Sequence, residues 1–266
     1  MATYVLIHGA GSDSWYWHLV APRLRSLGHD VVAVDLPCED DTAGLDEYAD
    51  VVVDAVGDRH DVILVAQSLG GFTAPLVCDR LPVILLVLVA AMTPRPGESP
   101  GEWWANTGHR FPDPFDPQVV FAHDVPPDVA AASLDHLREQ SGTPFEKPWP
   151  LAAWPDVPTR FVLCRDDRFF PAEFQRRVVR ERLGIVPDEM EGGHLPALSH
   201  PDELVRRFLA AMKDARQVVA DVHARYFGAE LNDQSLTPGD SPRVGRTRFA
   251  DWLNRMVKSG PTPKHA

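Results

Sequence analysis

The sequence predicts an α/β protein with a doubly wound, mostly parallel sheet, and three features of the chain carry this prediction. Short, continuously apolar runs recur along residues 1–90, and each run is followed by a segment with helical spacing. The same alternation resumes after residue 158. Strands that read as unbroken apolar runs are buried on both faces, which is typical of a parallel sheet with helices on either side.

Strands and helices alternate regularly before residue 90. The expected elements, in chain order, are a strand at 4–7, a helix at 15–27, a strand at 31–34, a helix at 44–57, a strand at 61–66, a helix at 70–80 and a strand at 83–90. Asp13 or Ser14 can cap the first helix, and Gly28 can end it, because these residue types satisfy or terminate helix ends.

The alternation stops at Thr93, where a segment rich in proline and tryptophan begins. About half of the 25 prolines fall in residues 93–158. Because proline lacks a backbone donor and has a fixed φ, this segment cannot extend the sheet. Only residues 128–140 read clearly as a helix. We therefore expect residues 93–158 to be a cap inserted over one end of the sheet.

After the insertion, the sequence predicts a return to strands and helices. The expected elements are a strand at 160–164, a helix at 172–183, a strand at 185–190 and a helix at 201–213. Residues 1–213 are thus expected to form one domain that contains the cap. Residues 214–266 are expected to form a C-terminal helical extension of unknown role, with helices at 215–227 and 248–257 around a turn region.

Composition excludes several classes of protein. The chain has 266 residues, of which 44% are apolar, enough to bury one large core. A net charge of −12 argues against nucleic acid as a partner. No apolar run reaches the roughly 20 residues that a membrane-spanning helix requires, so no membrane partner is expected. The three cysteines lack metal-ligand spacing, and no signal peptide precedes the first strand, so a reduced, cytoplasmic protein is expected.

The strongest chemical signal lies in residues 65–71, which read Val-Ala-Gln-Ser-Leu-Gly-Gly. The segment ends an apolar strand and begins a helix, which is the context of a G-x-S-x-G nucleophile elbow with Ala66 in place of the first glycine. The tight turn requires small residues such as Ala66 and Gly70 around the serine. Ser68 is therefore the candidate nucleophile, and the Leu69 N–H is a candidate oxyanion donor. The short pattern alone is equally compatible with a serine at an ordinary helix start.

A serine nucleophile requires a base, and the base requires a carboxylate that orients it. His194 follows two glycines in a loop that precedes the last expected helix, and it is the candidate base. Asp166 and Asp167 follow the strand at 160–164, at the carboxyl end where the sites of parallel sheets lie. Either aspartate is a candidate for the orienting carboxylate.

The loop after the first strand, His8-Gly9-Ala10-Gly11, is expected to complete an oxyanion hole. Glycine lets the backbone approach a ligand closely, and the N–H of Ala10 is the preferred donor. His8 lies too close to the strand for a catalytic base and is expected to brace the loop by hydrogen bonding. Structural roles are also expected for four other histidines: His109, His123, His136 and His200.

These motifs together resemble the α/β-hydrolase superfamily, specifically the small branch of plant methyl-ester esterases, hydroxynitrile lyases and bacterial relatives. The resemblance covers roughly residues 3–213 and rests on segments 5–11, 15–17, 66–70, 167–171 and 192–194. It implies the chain order Ser68, Asp167, His194 for a catalytic triad. The family's spacing to Pro171 favours Asp167 over Asp166, which is left as a turn residue or ion-pair partner. It also implies a mobile cap, which matches residues 93–158.

The sequence therefore predicts a serine esterase that acts on small to medium hydrophobic esters without a cofactor or metal. Two alternatives are a cofactor-free lyase of the hydroxynitrile type and a ligand-binding protein that has lost catalysis. By resemblance, such lyases favour a threonine and a lysine where this chain has Gly9 and Leu195. Each cap tryptophan is more readily explained as core than as a pocket residue. The sequence does not distinguish a monomer from a homodimer.

Overall fold

The computed structural model describes residues 1–213, 225–226 and 229–230. The chain divides into two units after Gln217. In the described residues, no helix combines the length and apolar character that crossing a membrane would require.

Six strands form one parallel sheet, which confirms the predicted fold class. They are β1 (Thr3–Ile7), β2 (Asp30–Val34), β3 (Val62–Gln67), β4 (Val83–Val89), β5 (Thr159–Cys164) and β6 (Asp188–Met190). Their order across the sheet is β2-β1-β3-β4-β5-β6, and every neighbouring pair is parallel. The chain reverses its direction of travel across the sheet after β2, so the carboxyl ends of β1 and β3 lie side by side at the point where ligands bind in such sheets.

Nine α-helices accompany the sheet in residues 1–213. They are α1 (Ala21–Ser26), α2 (Leu45–Val56), α3 (Gly70–Thr73), α4 (Pro100–Thr107), α5 (Pro117–Val120), α6 (Pro127–Ser133), α7 (Ala172–Leu183), α8 (Pro196–Ser199) and α9 (Pro201–Lys213). The predicted bounds of α7 and α9 agree with the structure, and α2 differs by one residue at each end.

The two faces of the sheet are buried in separate apolar clusters. Val5 and Ile7 of β1 lie in the cluster that includes α2, α3 and α7. Tyr4 and Leu6 point to the opposite face and lie in the cluster that includes α1, α8 and α9. Since successive strand residues alternate between faces, a strand covered on both sides must be apolar at every position.

Two predicted helices are shorter than their apolar spacing suggests. The helix predicted at 15–27 is a 3₁₀ turn, Ser14–Trp17, followed by α1, which has Pro22 in its first turn. The helix predicted at 70–80 is α3 followed by a 3₁₀ segment that contains Pro75. Proline fits the first turn of a helix but in the interior removes a hydrogen bond and clashes with the preceding turn. A new helical segment therefore starts next to each proline: α1 begins at Ala21, and α3 ends at Thr73 before the segment that contains Pro75.

Residues 93–158, which we call the inserted segment, connect β4 to β5. The prediction of a single helix at 128–140 is wrong in extent, because α6 ends at Ser133 and is followed only by a 3₁₀ turn. It also misses α4 and α5. Helix α4 begins with a capping box in which Ser99 and Glu102 bond each other's backbone N–H, with Pro100 at its first position.

Residues 225–226 and 229–230 form a short antiparallel strand pair. The helix predicted at 215–227 is therefore wrong at 225–226. Tyr226 favours a strand over a helix, and the glycine at position 228 in the sequence disfavours a continuing helix. The rest of that helix and the helix predicted at 248–257 lie outside the described residues.

Helix α3 packs very closely against the backbone that follows β4. A Cβ atom added at Gly71 would lie 2.0 Å from the carbonyl oxygen of Met92. The Met92 N–H donates to the Ser68 carbonyl at 2.9 Å, so the chain after β4 also holds the turn between β3 and α3. Only glycine at position 71 permits this close approach.

We expect Gly71→Ala to lower the free energy of unfolding by about 1–3 kcal/mol, because the added methyl group must displace backbone. Urea denaturation followed by circular dichroism measures the change. Gly142→Ala is the matched control, since no atom lies within 4 Å of its added Cβ. A Gly71→Ala variant as stable as Gly142→Ala would contradict the expectation.

Candidate active site

Ser68 lies on a strained turn between β3 and α3. Its φ is +51°, in the left-handed region that residues with a side chain rarely adopt. The backbone around it is held by hydrogen bonds, since the Ser68 N–H donates to the Val89 carbonyl and the Ser68 carbonyl accepts from Gly71 and Met92. Such conformations persist where the surrounding structure fixes them, and they occur frequently at active sites.

His194 lies within hydrogen-bond distance of both of its predicted partners. Its Nε2 is 3.2 Å from Ser68 Oγ, and its Nδ1 is 2.8 Å from Asp167 Oδ2. The His194 and Asp167 side chains are 4% and 0% exposed, so this chain of polar atoms is closed to solvent on the carboxylate side. The structure thus brings together three residues that are far apart in the sequence.

Asp167, and not Asp166, supplies the carboxylate that reaches His194. Its Oδ1 accepts hydrogen bonds from the N–H groups of Phe169 and Phe170, each at 2.8 Å. With Oδ1 fixed in this way, Oδ2 faces the imidazole. Asp166 is exposed, and its carboxylate accepts the N–H of Gly192 at 3.1 Å, as suits a turn residue.

Two side chains that the sequence analysis did not single out hold the loop of His194. The Gln67 side-chain amide donates to the carbonyl of His194 at 3.1 Å. Asp124, from the inserted segment, accepts the N–H of Gly193 at 2.6 Å. The position of Gln67 directly before the candidate nucleophile is a sequence signal for a role in the site. No pattern in the sequence around Asp124 predicts its contact with Gly193.

The loop after β1 is braced by His8, as expected from the sequence. The Leu36 N–H donates to His8 Nε2 at 3.1 Å, so the proton of the neutral ring lies on Nδ1, which is 2.8 Å from the Gly9 carbonyl. His8 is fully buried, and burial lowers its pKa. Neither the Ala10 nor the Leu69 N–H has a hydrogen-bond partner in the described part of the chain.

A cavity of about 320 Å³ lies above Ser68, and Ala10, Leu69 and His194 all contribute to its wall. Its other lining residues are mostly apolar or aromatic and include Trp15, Tyr16, Met92, Trp104, Phe111, Phe121, Leu137, Phe145, Phe169 and Leu198. Apolar walls with a few converging polar groups are typical of small-molecule sites. In residues 1–213, no three His, Cys, Asp or Glu side chains are placed to hold a metal ion.

The inserted segment contributes both core residues and cavity wall. Trp103 and Trp149 are buried in the main apolar cluster, in line with the interpretation of these tryptophans as core. Trp104 lines the cavity, so the core interpretation is incomplete for that residue. His136, for which a structural role is expected, pairs with Asp13 at 2.9 Å and also lines the cavity.

The folded protein should lose stability as the pH falls below about 6.5, the ordinary pKa of histidine. Because burial lowers the pKa of His8, the unfolded chain takes up this proton before the folded protein does. The contribution of the neutral ring is complete above the unfolded pKa and is lost as the pH falls through the lowered folded pKa. Urea denaturation at about pH 8 and pH 5 should therefore give a smaller difference in unfolding free energy for His8→Gln than for wild type. Equal differences would contradict this role.

Comparison with known proteins places the chain in one family. A model of the alpha/beta hydrolase family matches residues 4–207. Norfluorocurarine synthase 1 from a Strychnos species is 25% identical over 245 residues, which cover 76% of this chain and 91% of that protein. Methylesterase 8 from Arabidopsis thaliana is 27% identical over 241 residues, which cover 78% of this chain and 88% of the relative.

A solved structure shares the fold. The crystal structure of polyneuridine aldehyde esterase aligns with a TM-score of 0.69 at 22% identity, covering 80% of this chain and 99% of that one. The family model extends from β1 into α9 and so includes every strand of the sheet and all three residues of the Ser68 site. The chain therefore belongs to the alpha/beta hydrolase family.

Proposed function

We propose that this hydrolase is a serine esterase that cleaves small to medium hydrophobic carboxylic esters through an acyl-enzyme. The observation that carries the proposal is the hydrogen-bonded series Asp167, His194, Ser68 at the wall of an apolar cavity. Acyl transfer also requires a site for a developing oxyanion. The N–H groups of Ala10 and Leu69, which have no hydrogen-bond partner among the described residues, can supply it.

His194 acts as the base in this proposal. Asp167 accepts a hydrogen bond from the Nδ1–H of the ring, which keeps the proton on Nδ1 and leaves the Nε2 lone pair directed at the Ser68 hydroxyl. As Ser68 Oγ attacks the ester carbonyl, its proton moves to Nε2, and the same proton then passes to the departing alcohol. Water then attacks the acyl-enzyme, with its proton moving to Nε2 and on to Ser68 Oγ, and the acid is released.

The N–H groups of Ala10 and Leu69 bind the oxyanion in this proposal. Leu69 directly follows the nucleophile, and Ala10 comes from the loop after β1, whose strand pairs with β3 in register Ile7↔Ala66. The sheet therefore sets the distance between the two donors. Donors held in advance by the fold need no reorganisation when negative charge develops, which is why such sites lower the barrier.

The relatives support an ester as the substrate, because methylesterases and esterases recur among them. The mostly apolar cavity wall supports a hydrophobic acyl or alcohol part. A small-molecule partner of this kind also fits the volume of the cavity.

A lyase of the hydroxynitrile type is less well supported. A side chain at Gly9, where such lyases favour threonine, would place its Cβ 2.4 Å from Gln67 Oε1 and 2.8 Å from Ser68 Cβ. The site thus has no room for that side chain, and Leu195 stands where the lyases favour lysine. A purely ligand-binding role is disfavoured because the nucleophile, base and carboxylate are all present and aligned.

Ser68→Ala should reduce kcat for a nitrophenyl acyl ester by at least about 10³-fold, because the nucleophile is removed. It should also abolish covalent labelling by a fluorophosphonate probe. Ser133→Ala, at another serine of the cavity wall, is the control and should keep both activity and labelling. Undiminished turnover by Ser68→Ala would exclude the acyl-enzyme route.

Asp167→Asn should lower kcat by about 10⁴-fold while leaving the fold intact. Two backbone N–H groups require an oxygen at the Oδ1 position, so the new amide NH₂ faces His194 and forces the ring proton onto Nε2. Nε2 can then no longer accept the serine proton. Asp166→Asn is the matched control, since its carbonyl oxygen can still accept the Gly192 N–H. Similar kcat losses in both variants, measured with the same ester, would refute the distinction between the two aspartates.

A further inference from the structure

We propose that Gln140, in the inserted segment, is a positioning residue that orients the oxyanion loop, residues 9–11. The proposal rests on the esterase function above, because it concerns how the Ala10 N–H is aimed at the substrate. Gln140 does not itself reach the reacting atoms in this proposal. It acts through Gly11, the residue after the donor.

Gly11 is held on both sides by the inserted segment. Its N–H donates to Gln140 Oε1 at 3.1 Å, and its carbonyl accepts the N–H of Arg138 at 3.0 Å. Gly11 has a φ of +61°, and a Cβ at this position would lie 3.2 Å from the Arg138 carbonyl. Two hydrogen bonds, one to each polar backbone group of Gly11, thus connect the oxyanion loop to residues 138–140.

Ala10 lies between two peptide groups that are fixed from opposite sides. On one side, His8 Nδ1 donates to the Gly9 carbonyl at 2.8 Å. In a trans peptide the N–H points away from the preceding C=O, so the Ala10 N–H is directed away from His8. On the other side, Gln140 fixes the peptide between Ala10 and Gly11. Without the His8 contact or the Gln140 contact, one of the two peptide groups next to Ala10 could rotate. Such a rotation would change the direction of the Ala10 N–H.

Gln140 is itself held in a defined orientation. Its Nε2 donates to Tyr48 Oη at 3.2 Å and to the Ser141 carbonyl at 3.0 Å, which leaves Oε1 for Gly11. Ser141 is anchored in turn, since its N–H donates to the Cys38 carbonyl at 2.7 Å. The contacts with Tyr48 and Ser141 therefore fix the orientation of the Gln140 carboxamide. A carboxamide with a fixed orientation can in turn hold the peptide group that it bonds.

The test compares Gln140→Met with Glu146→Met. Methionine at position 140 keeps the length of the side chain but cannot accept the Gly11 N–H strongly. Glu146 is an exposed residue of the inserted segment outside the cavity wall, so the same replacement there controls for a methionine in this segment. The measurements are kcat and KM for a nitrophenyl ester and the affinity for a trifluoromethyl ketone, whose adduct with Ser68 carries an oxyanion.

Removing an oxyanion donor outright costs about 10²–10³ in kcat, so misdirecting one should cost Gln140→Met about tenfold. KM should stay within about twofold, and the affinity for the trifluoromethyl ketone should fall by the same factor as kcat/KM. Glu146→Met should match wild type in all three quantities. A residue that merely stabilises the fold would change the fraction of folded enzyme without changing the inhibition constant.

Two results would overturn the proposal. One is a Gln140→Met enzyme with wild-type kcat, and the other is a lower kcat with unchanged affinity for the trifluoromethyl ketone. Circular dichroism and the unfolding midpoint identify a variant that fails to fold, in which case Gln140→Leu replaces it under the same criteria. Failure of the esterase function itself is separate, since it would show as retained turnover in Ser68→Ala whatever the Gln140 variants do.

Discussion

The hydrogen bond between His194 Nδ1 and Asp167 Oδ2 is the interaction on which the arrangement of the site depends. It joins a loop after β5 to a loop after β6, and through the imidazole it sets the position of a lone pair relative to Ser68. The bond is almost completely removed from water. A buried carboxylate must be satisfied by donors, and Asp167 receives them from two backbone N–H groups and the imidazole.

Aromatic rings exclude water from this bond. The ring centroids of Phe170, Phe169 and Phe121 lie 5.0, 5.2 and 5.4 Å from that of His194. Phe169 and Phe170 also provide the N–H groups that fix Asp167, so the same two residues orient the carboxylate with their backbone and shield it with their side chains. In a poorly hydrated site, the attraction between the carboxylate and an imidazolium formed during the reaction is stronger than in water.

How much of this protein could be predicted from sequence depends on whether a feature is local or periodic. Buried parallel strands are continuous apolar runs, so β1 to β5 were predicted to within a residue or two. The elbow at Ser68 was predicted because a tight turn demands small residues at fixed offsets. The predicted helix at 70–80 is longer than the observed α3, because the apolar spacing continues past Pro75 whereas the regular α-helix ends at Thr73.

Contacts made by the inserted segment could not be predicted in the same way. Helix α4 is missed because the three prolines at 94, 96 and 100 indicate irregular backbone, although Ser99 and Glu102 form a capping box at the start of the helix. Asp124 and Gln140 lie in irregular backbone and meet partners 69 and 129 residues away, and no periodic pattern encodes such pairings. The resemblance to known hydrolases implies a cap at residues 93–158. It does not specify which of its side chains bond the loops of Ala10 and His194.

These contacts connect the inserted segment to the two loops of the candidate site, in addition to its part in the cavity wall. Asp124 bonds the loop that carries His194, and Gln140 bonds the loop that carries Ala10. The proposed base and one proposed oxyanion donor are 184 residues apart in the sequence (194 minus 10), yet both of their loops are bonded by the inserted segment. Phe121 and His136 of the inserted segment also line the cavity, so one segment both forms part of the cavity wall and bonds the two loops. Under the proposed function, we therefore expect substitutions in this segment to change substrate preference and turnover together.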